Sequence, residues 1–360
     1  MSLVKPINEF NNDLLRVLRA TNGHTEANLF YSPLGIFTSL TTLLIGSRND
    51  TERQLKECLH CEEIGKSKSV DSLQKLLNNY IDNNNGKKEV DLILSCYLNA
   101  GEDVQLNQSY ENMITSKLNV DLSNSSSNCV TQPSKDILER IKSLNEGVSI
   151  LSVVYFKGLW EKKFLPSHTK QMPFYSNGKT PKTIDMMSTR GYFHVLRSTQ
   201  YCVFSLNFKQ DLAMIVLLPD TIDGLEVLLN KFKPNDLLDK MTRATHQRCD
   251  MFLPKFKIDQ SIDLNSSLHK IGLKQLFKSE TSNLTGLSNC DKTFVSKVFH
   301  CATMEIDEEG SRTATATTPL NRTVRNSDTS PPIRVDHPFM FIIVDNNLKL
   351  IMFTGIINNL

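Results

Sequence analysis

The chain is short of several things, and each shortage excludes something. No apolar run among its 360 residues reaches the roughly 18 needed for a helical membrane span, so no span is expected. Neither sign of charge dominates. A formal net charge of +2 offers little to a strongly charged partner, and no nucleic acid is expected. The opening stretch MSLVKPINEFNNDLLRVL has no uninterrupted apolar core, so no cleavable signal peptide is expected. The extracellular space is favoured if the chain is exported by another route, with the cytoplasm as the alternative. There is a single tryptophan, Trp160, and no internal repeat.

Enzyme signatures are missing too. The sequence holds no G-x-S-x-G elbow, no H-E-x-x-H and no G-x-G-x-x-G. Gly65, Lys66 and Ser67 read like the end of a phosphate loop, but His60 stands where its first glycine belongs. Cys58 and Cys61 have zinc-ligand spacing without a second pair at a suitable distance. No enzyme, cofactor or metal is therefore expected, and the eight scattered cysteines read as free, mostly buried thiols. Six glycosylation sequons, at Asn49, Asn107, Asn124, Asn265, Asn283 and Asn321, matter only in the secretory pathway.

What is present fits a globular protein: 39% hydrophobic and 22% charged residues. Ile7, Phe10, Leu14, Val17 and Leu18 are spaced for an amphipathic first helix. PLGIFTSLTTLLIGS (33–47) is apolar nearly all round and reads as a buried helix. VDLILSCYLNA (90–100) and ILSVVYFKGLW (150–160) read as strands, as do YCVFSLNF, LAMIVLLP and RCDMFLPKFKID. SLHKIGLKQLF returns to helix. FMFIIVD and LKLIMFTGII form a hairpin turned by Asn346 and Asn347. This mixture has no βαβ rhythm, so the class is α+β without a doubly wound sheet. SNSSSN (123–128) is a surface loop. Residues 311–332 are too polar for a core and too long for an ordinary connection. Just before them, EIDEEGSRTATATT (305–318) alternates like a strand that has no obvious partner.

Several stretches, in order along the chain, resemble the serpin family. They are NLFYSPLGIFTSLTTLLIGSRNDTERQL (28–55), VVYFKGLWEKKF (153–164), LPKFKID, DLNSSLHKIGLKQLF, EIDEEGSRTATATT, VDHPFMFIIVD and IMFTGIINN. The resemblance implies a single domain over 1–360, with three β-sheets, about nine helices and an exposed reactive-centre loop at about 308–332. It implies a monomer that inhibits serine proteases as a suicide substrate. The cut loop inserts into the large sheet as a new central strand while the protease is still an acyl-enzyme. The runner-up is a non-inhibitory serpin acting as carrier, chaperone or storage protein.

On the family pattern Glu308, Glu309 and Gly310 begin the hinge, which continues through Ser311, Arg312, Thr313, Ala314, Thr315 and Ala316. Ser311, Thr313, Thr315 and Thr317 would face inward on insertion; Arg312, Ala314, Ala316 and Thr318 would face out. Thr in place of the usual Ala, and Pro319, are departures. Trp160 would cap the top of the large sheet near Glu308. Asn28, Ser32 and His300 would form a polar cluster under its centre, where Ser152 replaces the usual Asn. The helix covering that sheet, near NCVTQPSKDILERI, is expected to be truncated at its start. Family spacing puts the scissile bond at Val324–Arg325. A cut after Arg325, favoured because of the arginine-rich loop, would select trypsin-like targets. Val324 would select elastase-like ones, and Arg322 is the third candidate.

Overall fold

The computed structural model describes residues 2–21, 27–81, 90–122, 132–179, 181–290, 292–309 and 330–360. Among them are nine helices: α1 (Val4–Thr21), α2 (Pro33–Gly46), α3 (Asn49–Cys58), α4 (Lys66–Ile81), α5 (Gln108–Leu118), α6 (Gln132–Lys142), α7 (Leu225–Leu229), α8 (Pro234–Met241) and α9 (Asn265–Ile271). None is long and apolar enough to cross a membrane.

Every residue of α2 is buried. Four of them carry hydroxyls, and Thr38, Ser39, Thr41 and Thr42 each donate back to the carbonyl four residues earlier. That pairing makes a polar side chain tolerable in a helix with no wet face. Ser32 caps the start, its Oγ accepting from the Gly35 N–H at 3.1 Å, with Pro33 in the first turn. The helix packs on both sheets.

The five-stranded sheet runs in the order β10 (Phe256–Asp263), β11 (Val295–Ile306), β4 (Val148–Gly158), β2 (Val90–Ala100), β3 (Val120–Leu122). The nine-stranded sheet runs β1 (Leu29–Tyr31), β14 (Leu350–Ile357), β13 (Phe339–Asp345), β8 (Leu212–Pro219), β7 (Tyr201–Asn207), β6 (Pro181–Arg197), β9 (Thr245–Pro254), β12 (Ile333–Arg334), with β5 (Lys170–Tyr175) also on β6. The three expected sheets thus form two continuous ladders. The 17-residue β6 pairs with β5 and β9 along most of its length and reaches β7 only through His194–Arg197, which stitches two sheets into one.

Local details differ from the sequence reading. RCDMFLPKFKID is not one strand: Pro254 ends β9, and β10 begins at Phe256 in the other sheet. The helix expected over SLHKIGLKQLF stops at Ile271, because Gly272 takes φ +129°, a conformation open to glycine. β11 ends at Ile306, and residues 310–318 of the alternating stretch that begins at 305 lie outside the described residues. The C-terminal hairpin turns over 346–349 rather than on Asn346 and Asn347 alone, with Lys349 at φ 59°.

Candidate functional site: the seam between β4 and β11

β4 and β11 lie side by side and parallel, with Val148 opposite Val295 and, after a bulge at 295–297, in register from Ser149 opposite Lys297 to Phe156 opposite Met304. No short connection can join parallel neighbours, and some 140 residues of chain separate these two. One face of the seam lies against α2. The other packs Leu151, Val153, Phe299 and Cys301 against Leu138 and Ile141 of α6. α6 begins at Gln132; the residues before it are not described, so the expected truncation stays an expectation.

In the middle of the seam Ser152 stands opposite His300. Both are buried. His300 accepts from the Ser32 backbone N–H through Nε2 at 2.9 Å, so the neutral ring carries its proton on Nδ1. Burial pushes the imidazole down to about 3, which keeps it neutral. Its Nδ1 and the Ser152 Oγ have no partner among the described residues. Ser32 Oγ donates to the Met352 carbonyl at 2.8 Å, tying the start of α2 to β14. Gly35 is required here: a Cβ would stand 2.7 Å from Ser152 Oγ and from Val154 Cγ2. The expected cluster therefore gathers Ser32, Ser152 and His300. Asn28 lies apart from it. Its side chain donates to the Asn359 carbonyl and accepts from the N–H groups of Asn358 and Asn359, pinning the C-terminal tail.

The top of the seam is charged. Lys157 of β4 bridges to Glu305 of β11 at 3.0 Å and to Asp307 at 2.8 Å. Burial would lower its ammonium, but the bonds to Asp307 and Glu305 outweigh that and raise it. Trp160 is buried, stacked on Phe208 with centroids 4.2 Å apart, and its Nε1 donates to the Asp307 carbonyl at 2.8 Å. The nearly buried Glu308 carboxylate takes Lys255 Nζ at 2.8 Å and Thr169 Oγ1 at 2.8 Å. Its carbonyl accepts from the Phe164 N–H. Burial alone would raise this carboxyl; the hydrogen bonds from Lys255 and Thr169 hold it below the ordinary range. Glu309 donates its N–H to Asp307 Oδ1.

β11 ends at Ile306, and after Glu309 the chain is next described at Ser330, whose N–H donates to the Arg248 carbonyl of β9. Arg197 donates to the Pro331 carbonyl, and β12 then joins the nine-stranded sheet. Gly310, Ser311, Arg312, Thr313, Ala314, Thr315 and Ala316 of the expected hinge lie outside the described residues. So do the scissile-bond candidates Arg322, Val324 and Arg325.

Sequence reasoning missed Lys157, Lys255 and Thr169. Each is an ordinary surface residue type whose partner lies 53 to 148 residues away. The sole available signal was that Lys157 stands between two matched apolar stretches, in YFKGLW.

Residues 5–360 match the family model for Serpin (serine protease inhibitor). Serpin B3 of Homo sapiens is 31% identical, the alignment covering 98% of each chain. The leukocyte elastase inhibitor of Sus scrofa is 29% identical over 95% of each. Among solved structures, uncleaved ovalbumin superposes with a TM-score of 0.83 at 23% identity, covering all of both chains. The chain belongs to the serpin family.

Proposed function

We propose that the protein inhibits serine proteases by offering residues 310–329 as bait and taking the cut strand into the seam between β4 and β11. The observation that carries this reading is where the described chain stops and resumes. β11 ends at Ile306 beside the directly paired parallel strand β4, and the chain resumes at Ser330 against β9 of the other sheet. Insertion would replace one β4–β11 ladder by two. The net gain is one ladder, on the order of 10 kcal/mol at ~1 kcal/mol per bond. The inward set Ser311, Thr313, Thr315 and Thr317 is small and uncharged. It can enter a packed seam if its hydroxyls find partners, and Pro319 falls late enough to leave the earlier pairing intact.

Trypsin-like targets are favoured, with Arg325 filling an acidic specificity pocket through paired charge-assisted hydrogen bonds. Val324 would suit an elastase-like pocket, a reading to which the relative named leukocyte elastase inhibitor lends weight; Arg322 is third. The test is incubation with trypsin-like and elastase-like serine proteases, followed by a boiling detergent gel. An adduct of protease and chain is expected, together with a released peptide starting at Asn326. A peptide starting at Arg325 moves the bond to Val324, and one starting at Thr323 moves it to Arg322. Cleavage by every protease without any adduct would refute inhibition.

A further inference from the structure

On the exposed face of the nine-stranded sheet, His194 of β6 and His246 of β9 are directly opposed partners in an antiparallel pair. Their ring centroids are 5.0 Å apart with 30° between the planes. Both residues are exposed, and among the described residues no hydrogen bond occupies a nitrogen of either ring. Tyr192 leans on His246 at 5.2 Å from the side of the next pair.

We propose that His194 and His246 together chelate a divalent transition cation of the Zn²⁺ or Cu²⁺ class. The spacing is the argument. At a metal–nitrogen distance of ~2.1 Å, each imidazole centroid sits about 3.2 Å from the ion, and a tetrahedral angle then separates the two centroids by about 5.2 Å. The observed 5.0 Å meets that demand with the strands as they stand. Directly opposed positions on adjacent strands bring the two rings to one ion without backbone movement.

The surroundings set the character of the site. No third His, Cys, Asp or Glu converges on the pair among the described residues. Asp250, further along β9, is taken by Arg190 at 2.5 and 2.8 Å. Arg248 stands opposite Tyr192, and Lys162 Nζ bonds the Arg190 carbonyl, so the local field is positive. Two ligands and a positive field make an open, exchangeable site with water in the remaining positions, not a structural one. Cu²⁺ should bind more tightly than Zn²⁺. A bound ion would cross-brace β6 and β9 two residues from Arg248, whose carbonyl anchors the returning chain at Ser330.

The test titrates ZnCl2 calorimetrically into the full chain and into the His194→Gln and His246→Gln variants. Each variant should weaken the site at least tenfold while its metal-free melting temperature stays unchanged. An isotherm that either variant leaves intact would place the ion elsewhere and overturn the proposal, as would an absence of binding heat. Should a variant fold poorly, electron paramagnetic resonance of the wild-type chain with one equivalent of Cu²⁺ decides the matter alone. Coupling to two imidazole nitrogens is expected; coupling to one or none contradicts the chelate.

Discussion

The two ends of one seam are held by different physics. At the top, every named group has a partner: Lys157 with Glu305 and Asp307, Glu308 with Lys255 and Thr169, Trp160 with the Asp307 carbonyl. Several of these partners are half-exposed, so water can take over their bonds as they open. In the middle the groups are fully buried, and two of them, Ser152 Oγ and His300 Nδ1, have no partner among the described residues. A buried unsatisfied group costs about 1–3 kcal/mol. The middle therefore closes less favourably than its packing suggests. A strand entering from the top would meet resistance first from charge and afterwards from the backbone ladder and packing.

At neutral pH, reversing the charge at the top should give the largest effect. Glu308→Lys removes the Lys255 bridge and sets two cations beside each other in a nearly buried position. Breaking a fully buried pair costs ~3–5 kcal/mol. Lys255 is half-exposed, so about 2 kcal/mol is expected here, read as a lower midpoint in urea. A midpoint equal to wild type would mean that the charged end does not hold the seam. The next effect tests the middle through pH. The folded state keeps His300 neutral down to about 3, whereas the unfolded chain protonates near its ordinary 6.5. Between these values the unfolded state binds the extra proton, so stability should fall as pH drops from 6.5, by at most ~1.4 kcal/mol per pH unit from this group. In the His300→Gln variant that part of the slope should vanish; a slope that persists unchanged would assign it to other groups. The smallest effect is at Ser152. Ser152→Ala removes a hydroxyl with no partner and should raise stability by about 1 kcal/mol. Destabilisation of that size would reveal a bond the hydroxyl makes, and would erase the contrast between the two ends.

The sequence was most readable where one element carries its own pattern. The periodicity of Ile7, Phe10, Leu14 and Leu18 gave α1, and the unbroken apolar character of 33–47 gave the buried α2. It was least readable where the fold joins distant chain. RCDMFLPKFKID looks continuous because both halves are strands, and periodicity says nothing about which sheet each half enters. β6 went unread because its burial pattern is irregular before Arg190 and alternates cleanly only beyond it. At the site, Ser32, His300 and Trp160 came from motif resemblance. Asn28, directly before β1, was expected in one cluster with Ser32 and yet binds the opposite end of the chain. Lys157 and Lys255 lay in matched stretches but their pairing was not legible, since an ion pair is a property of two positions and each half alone reads as a solvated lysine.

The central claim is that β4 and β11 must part for the protein to act, and native chemistry already supplies half of a lock. Val153 lies opposite Cys301 across the seam. Neighbouring strands run ~4.8 Å apart, within the range a disulfide can bridge. The Val153→Cys variant, oxidised, should close the seam covalently, and incubation with a target protease followed by a boiling detergent gel reads the result. The oxidised variant is predicted to be cleaved without forming an adduct, and reduction is predicted to restore the adduct in the same preparation. An oxidised variant, its cross-seam disulfide verified by mass spectrometry, that traps protease as well as the reduced one would contradict the account.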